Sequence, residues 1–391
     1  MSLTSKLRRI ALEQQGLLKT NSFGRGKKAV LRAIQQLGYV QIDTISVVAR
    51  AHHHVLWSRV GNYRADFLAQ LVAERELFEY WSHAAAWMPM SDYRFALPRM
   101  TQLNDSVWFA SCDQKIQREV LKRIEIEGPM RARDFSDPSH RSGGWWEWKP
   151  AKQALEQLFM QGELMVSSRL GFQKVYDLPE RVLPDSVDTR EPDMDEYAGY
   201  LIDTNLRAHG CASLVSLTYL RKGKQLRAAV RSQLEARIET EALTSVTLAN
   251  GTQLYIDPEL LESRAPRSSA LVRILSPFDN AVIQRQRGRE LFDFDYQIEC
   301  YLPASKRRFG YFCLPLMYRD RLVGRIDCKA HRAAGRLEIK SMHIEHRLDA
   351  AFATAFNRAI QSFAAFNDCA EIQFTADRSN PYLPEIQSQG N

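Results

Sequence analysis

The chain has 391 residues, 45% of them hydrophobic and 25% charged, with a formal net charge of +7. That length asks for two to four domains, and the mix gives each a core while excluding a disordered or low-complexity protein. The basic balance, with a pI near 9.0, favours an anionic partner without naming one.

The opening "MSLTSKLRRIALEQQGLL" reads as a basic amphipathic helix over 3–16 and lacks the apolar core of a signal peptide. No apolar run approaches the ~20 residues that span a bilayer, so a cytoplasmic protein without a membrane partner is expected. The six cysteines form no CxxC pair and no zinc-finger spacing, and are expected to be reduced thiols rather than disulfides or metal ligands. A second helix, 27–37, carries Lys27 and Lys28. It leads into "GYVQIDTISVV", an apolar run interrupted by Gln41 and Asp43. Read as a strand, the run puts Gln41 and Asp43 on one face and Val40 and Ile42 on the other. An ionised carboxylate in such surroundings is costly unless it is paired, caps the next helix, or opens onto a cleft. Aromatics interleaved with basic residues follow: Arg50, "HHH" at 52–54, Trp57, Arg59, then Tyr80, Trp81, His83, Trp87 and Tyr93. Such a mixture suits base stacking and phosphate contact as well as an ordinary core.

Apolar spacing in "QKIQREVLKRIEIEG" predicts a helix ended by Gly128-Pro129, "MRARDF" a short second helix, and "WKPAKQALEQLFMQGEL" a third. Two strands around Gly171 complete a helix, turn-helix, hairpin order, which is that of a winged helix-turn-helix. The order returns from about 193, with a hairpin turning at Asn250-Gly251, and the amino-terminal segment begins the same way. After Pro266 the composition turns to alternating strands with turns at "RDR" and "AAGR", a helix over 346–367 and a last strand, "AEIQFTA". The expected fold is therefore α+β: tandem winged helix-turn-helix units over 1–111, 112–190 and 191–264, then a curved, barrel-like antiparallel β domain over 265–391.

The fragments "QIDTI", "VAR", "SRVGNY", "EYWSH", "MPMSD", "GWWEWKP", "FQKVYDL", "LSPFD", "LFDFDYQIECY" and "KRRFGYF" together resemble the YcaQ (AlkX) branch of the AlkZ-like winged-helix DNA glycosylases, from about residue 5 to residue 345. The resemblance implies excision of alkylated purines and, in that branch, unhooking of DNA interstrand crosslinks. It implies a catalytic motif of Gln, an apolar residue, then Gln or Asp, which falls here on Gln41, Ile42 and Asp43. It extends to a substrate and DNA-contacting set of Thr44, Arg50, Arg59, Tyr80, Trp81, His83, Asp279, Arg307 and Arg308. Ala84 follows His83 where the family often has glutamate, so no acid is assigned there.

The implied enzyme is a monofunctional N-glycosylase, a monomer associated with the nucleoid, acting on double-stranded DNA with no metal or other cofactor. Nothing marks a Schiff-base lysine. Basic clusters at 221–227, 285–289 and 305–308 are the expected phosphate contacts. Two other readings compete. A non-enzymatic winged-helix transcription regulator would explain the charge but not the Gln41–Asp43 pair. A metal-dependent nuclease would need an acidic cluster, for which Asp293 and Asp295 are the best offer.

Overall fold

The computed structural model describes residues 1–104, 113–135, 148–221 and 223–375. Cys112, most of "GWWEWKP" and Lys222 of the 221–227 cluster lie outside them. Two compact units emerge, one of Met1–Tyr63 with Ala198–Asn391, the other of Arg64–Tyr197. Compactness thus cuts the chain differently from the four linear segments.

In the unit Arg64–Tyr197, the strands Leu77–Trp81 and Ala85–Pro89 pair antiparallel across Ser82-His83-Ala84. Beyond them come the helix Gln114–Glu127, a short strand Met130–Arg131, the helix Trp148–Gln161 and the hairpin Met165–Leu170 with Gln173–Asp177. The stretch "MRARDF" was expected to be a helix; it is the strand Met130–Arg131 followed by one 3-10 turn, Ala132–Phe135. Asp134 accounts for this, since its carboxylate accepts from the Arg131 backbone N–H (2.9 Å) and grips the same residue's guanidinium, closing a tight turn instead of a helix.

The other unit repeats the order with the strand Cys211–Ala212, the helix Lys224–Glu239, and the hairpin Thr244–Thr247 with Gln253–Ile256. Asn250 and Gly251 lie in its turn, Asn250 Oδ1 accepting from Thr252 N at 3.1 Å and Gly251 holding φ +81°. Its principal sheet has five strands: Val272–Ile274, Cys313–Tyr318, Arg321–His331, Arg336–Ile344 and Glu371–Phe374. Register shifts at Leu316/Met317 and Asp327/Cys328 mark bulges, which bend strands and raise twist, and the sheet curls into a half-barrel. The helix Ala351–Phe366 packs Phe352, Phe356, Ile360 and Phe363 into the sheet's core. The last strand was expected to be antiparallel. It pairs parallel to Arg336–Ile344, because a helix between two strands of one sheet returns the chain in its starting direction.

Among the described residues no helix is long and apolar enough to cross a membrane. Cys211, Cys300, Cys313, Cys328 and Cys369 are free thiols.

Candidate active site

The helix Lys27–Leu37 ends at Gly38, whose φ of +77° and N–H to Ile34 O (2.8 Å) stop it abruptly. A Cβ there would also lie 2.5 Å from Thr204 Cγ2, so both conformation and space require glycine. The strand that follows is only Val40–Gln41. From Ile42 to Arg50 the backbone is irregular, so strand alternation does not place Gln41 and Asp43 on one face, as the apolar pattern suggested. The run is apolar because the sheet's core covers it: Val48 is buried there, and Ile45 and Val47 pack against the same cluster.

What replaces the ladder is a set of tethers to other segments of this unit. Asn280 Nδ2 donates to Tyr39 O at 3.0 Å, Ala330 N to Val47 O at 2.9 Å, and Ala49 N to Asn367 Oδ1 at 2.7 Å. Arg332 reaches both Ser46 O and Asn367 Oδ1. These bonds fix the peptide on both sides of Asp43, as a residue that must meet a reacting atom requires.

Gln41 is 6% exposed and closes the short strand. Asp43 is half-buried, and its Oδ1 accepts from Ile45 N at 2.7 Å, an Asx-type turn. Burial raises the Asp43 carboxyl above the usual range, and the Ile45 N–H restrains the rise. The result is an ionisable carboxylate of increased basicity. Its charge also reaches Cys300 and Tyr301, whose acidities fall through burial first and Asp43 second. Arg307 acts on Cys300 with the opposite sign. Thr44 is exposed, and Arg50 is half-buried at the start of the helix Ala51–Trp57.

That helix explains the histidine triplet. His52 and His54 are buried, His54 Nε2 bonds Ile274 O at 2.8 Å, and His53 Nδ1 meets the Tyr63 hydroxyl at 2.7 Å. Burial pushes both His53 and His54 down to about 4, with Arg50 adding to the effect at His53. The sign follows directly. Between the unfolded value near 6.5 and the folded value near 4, the unfolded chain binds more protons, so stability falls as pH drops through that window. Each histidine is expected to withdraw roughly 3 kcal/mol by pH 4. Denaturant midpoints should therefore decline between pH 7 and pH 4.5, less steeply in His53→Gln; an unchanged midpoint would contradict the burial of neutral rings. Asp43 carries the opposite sign, because its raised carboxyl ionises at a cost to the folded state as pH rises.

Arg59 and Asp279 are placed together, away from solvent. Both side chains are 0% exposed and joined by two bonds of 2.8 Å. Arg59 also donates to Gln15 O, Val55 O, Ser58 Oγ and Gln15 Oε1. A guanidinium so enclosed has no face for phosphate, and the DNA-contact role inferred for this pair is corrected to a structural one. It joins the amino-terminal helix Leu3–Gln14 and the helix Ala51–Trp57 to the "SPFD" turn. Two arginines of the 285–289 cluster are corrected in the same way, while Arg289 is exposed and pairs with Asp295 at 3.3 Å. Arg287 is buried and donates to Asn280 O at 2.5 Å, and Arg285 holds Val282 O and Pro277 O, both at 2.9 Å.

Arg308 is exposed and Arg307 half-buried, its Nε donating to Leu302 O at 3.0 Å, on a loop with Tyr311, whose ring lies 4.9 Å from the Arg307 guanidinium. In the other unit, Tyr80 is buried and donates to Met160 O at 2.6 Å, so it serves as a core residue there rather than a stacking platform. Trp81 is 38% exposed beneath Arg99, and His83 sits half-buried in the hairpin turn. Sequence reasoning passed over Tyr301, which is 68% exposed next to Cys300. The signal available was the fragment "IECYLP", where Tyr301 shares the alternation of the charged Glu299 two residues before Pro303. Among the described residues no group of three or more His, Cys, Asp or Glu could hold a metal ion.

The profile of the family described as DNA glycosylase AlkZ-like matches residues 34–366. Among solved structures, the DNA glycosylase AlkZ of Streptomyces sahachiroi is similar over 96% of this chain and 100% of that one, with a TM-score of 0.62 and 16% identity. Likeness at that identity speaks for the fold alone.

Proposed function

This chain belongs to the AlkZ-like DNA glycosylase family, and from that premise we propose that it is a monofunctional enzyme that hydrolyses the N-glycosidic bond of cationic N7-alkylguanine in double-stranded DNA, crosslinked guanines included. The observation that carries the proposal is Asp43, a half-buried carboxylate of raised basicity on a tethered backbone, whose charge reaches Cys300 and the exposed Tyr301. N7 alkylation already makes the base a good leaving group. The C1′–N9 electron pair departs with the base and neutralises it, leaving oxocarbenium character on the sugar. Asp43 stabilises that charge and accepts a proton from water as the water oxygen bonds C1′, while Gln41 holds the water.

Asp rather than Gln at 43 supports membership of the YcaQ (AlkX) branch. The twice-repeated order of helix, short strand, helix and hairpin supports tandem winged helices, with 1–111, 112–190, 191–264 and 265–391 as the units. Thr44, Arg50, Arg307 and Arg308 are the proposed DNA contacts in the one unit, and Trp81 and His83 in the other. Monomeric action in the cytoplasm, at the nucleoid and without cofactor, belongs to the same proposal. A transcription regulator of this fold would bind DNA but release no base.

The experiment is a comparison of two duplexes, one with a single N7-methylguanine and one with an N7-linked interstrand crosslink. The expected outcome is free base from the first and separated strands from the second, one bearing an alkali-labile abasic site. Base release without strand separation would remove crosslink unhooking from the proposal, and no release from either would remove the activity.

A further inference from the structure

The segment Glu299–Phe312 has no strand and only one 3-10 turn, Ala304–Lys306, yet its backbone is held along most of its length. Glu299 is buried and its carboxylate accepts from three successive backbone N–H groups, those of Arg308 (3.0 Å), Phe309 (2.8 Å) and Gly310 (3.1 Å). Asp327, also buried, takes the next two, from Tyr311 (2.8 Å) and Phe312 (3.2 Å). Five consecutive donors on two carboxylates form an anchored turn. Gly310 permits it, since its φ is +149° and a Cβ would stand 2.3 Å from Asp327 Oδ2. The inner ring, Phe309, lies under the Arg325 guanidinium at 4.0 Å and edge-on to His343.

The outer rings are left to solvent, Tyr301 at 68% and Tyr311 at 41% exposure. Arg307 already occupies a face of Tyr311. Tyr301 is the more open of the two and follows Cys300, which packs on the same core as Ile45 and Val47, and the Asp43 carboxylate acts electrostatically on the Tyr301 hydroxyl.

We propose that Glu299–Phe312 is a pre-built recognition loop in which Tyr301 stacks on the cationic base beside Asp43, and Glu299 and Asp327 are the positioning residues that hold it. The inference rests on the reading of the chain as an enzyme for cationic lesions and names the residue that senses the charge. An electron-rich ring attracts a cation through its face, and a neutral base of the same shape lacks that attraction. The rigid loop spares the cost of ordering the ring on binding.

The test separates recognition from catalysis by using the Asp43→Asn protein, in which binding is read without excision. Affinities are measured for duplexes containing N7-methylguanine or its neutral isostere 7-methyl-7-deazaguanine. The expected preference for the cation is about 2- to 5-fold, the size of a surface cation–π contact. Tyr301→Phe should keep it and Tyr301→Leu should abolish it. Glu299→Gln should lower it and have no further effect in the Tyr301→Leu background, an outcome that general loosening of the fold would not give. An unchanged preference in Tyr301→Leu, or no preference in the parent, overturns the proposal. Base release by the unsubstituted protein on N7-methylguanine decides the catalytic reading independently.

Discussion

Replacing Asp43 with asparagine is expected to lower the single-turnover rate of N7-methylguanine excision by about 10²- to 10⁴-fold, the range for loss of a positioned proton acceptor. Duplex binding should not weaken, because the proposed phosphate contacts, Arg50, Arg307 and Arg308, are separate side chains. Asparagine keeps the Ile45 N–H bond, since its Oδ1 can accept as the carboxylate does. The comparison therefore removes charge and basicity and little else. Wild-type excision by this variant would transfer the chemistry to another group.

The second large effect concerns stability. Arg59→Ala or Asp279→Ala should destabilise the protein by about 3–5 kcal/mol, because each leaves its partner's charge buried without compensation. A fall in melting temperature on the order of 10 °C would accompany that loss. Asp279→Ala additionally frees the Ala281 N–H, which the same carboxylate accepts at 2.9 Å. Thermal melts of the two variants, with the double variant beside them, check this. Had either residue been a DNA contact, its loss would appear in affinity and leave the melt unmoved.

Local pattern made much of this molecule legible. The helices Lys27–Leu37, Gln114–Glu127 and Met194–His209 follow from apolar spacing and from their glycine or proline ends. The hairpins around Gly171 and Asn250-Gly251 follow from turn chemistry. Long-range partners were not legible. The run from Val40 to Val48 is apolar because distant segments cover it, and a strand-like composition cannot report that Asn280, Ala330 and Asn367 supply its bonds. Arg59 looks like surface charge in sequence, since the carboxylate that turns it inward, Asp279, lies 220 residues along the chain; Arg285 and Arg287 look the same, since backbone carbonyls of the turn just before them, which leave no mark in residue type, take their guanidiniums. Tyr301 was missed for the converse reason: an aromatic between Cys300 and Leu302 reads as core, and its exposure depends on the loop that Glu299 and Asp327 anchor. For the proposed site, the Gln41-Ile42-Asp43 motif was visible as a polar interruption, whereas the tethers that fix it came only with the fold.

The central claim is that water, directed by Asp43, displaces a cationic base with no covalent protein intermediate. It is tested most directly by mixing excess enzyme with a duplex bearing one N7-methylguanine and quenching the single turnover in borohydride. The account expects free N7-methylguanine, a strand that stays intact in mild buffer and breaks in hot alkali, and no protein–DNA adduct. A borohydride-trapped adduct with spontaneous strand cleavage would contradict it, pointing to an amine such as Lys27 or the amino terminus as the nucleophile and leaving Asp43 a supporting role.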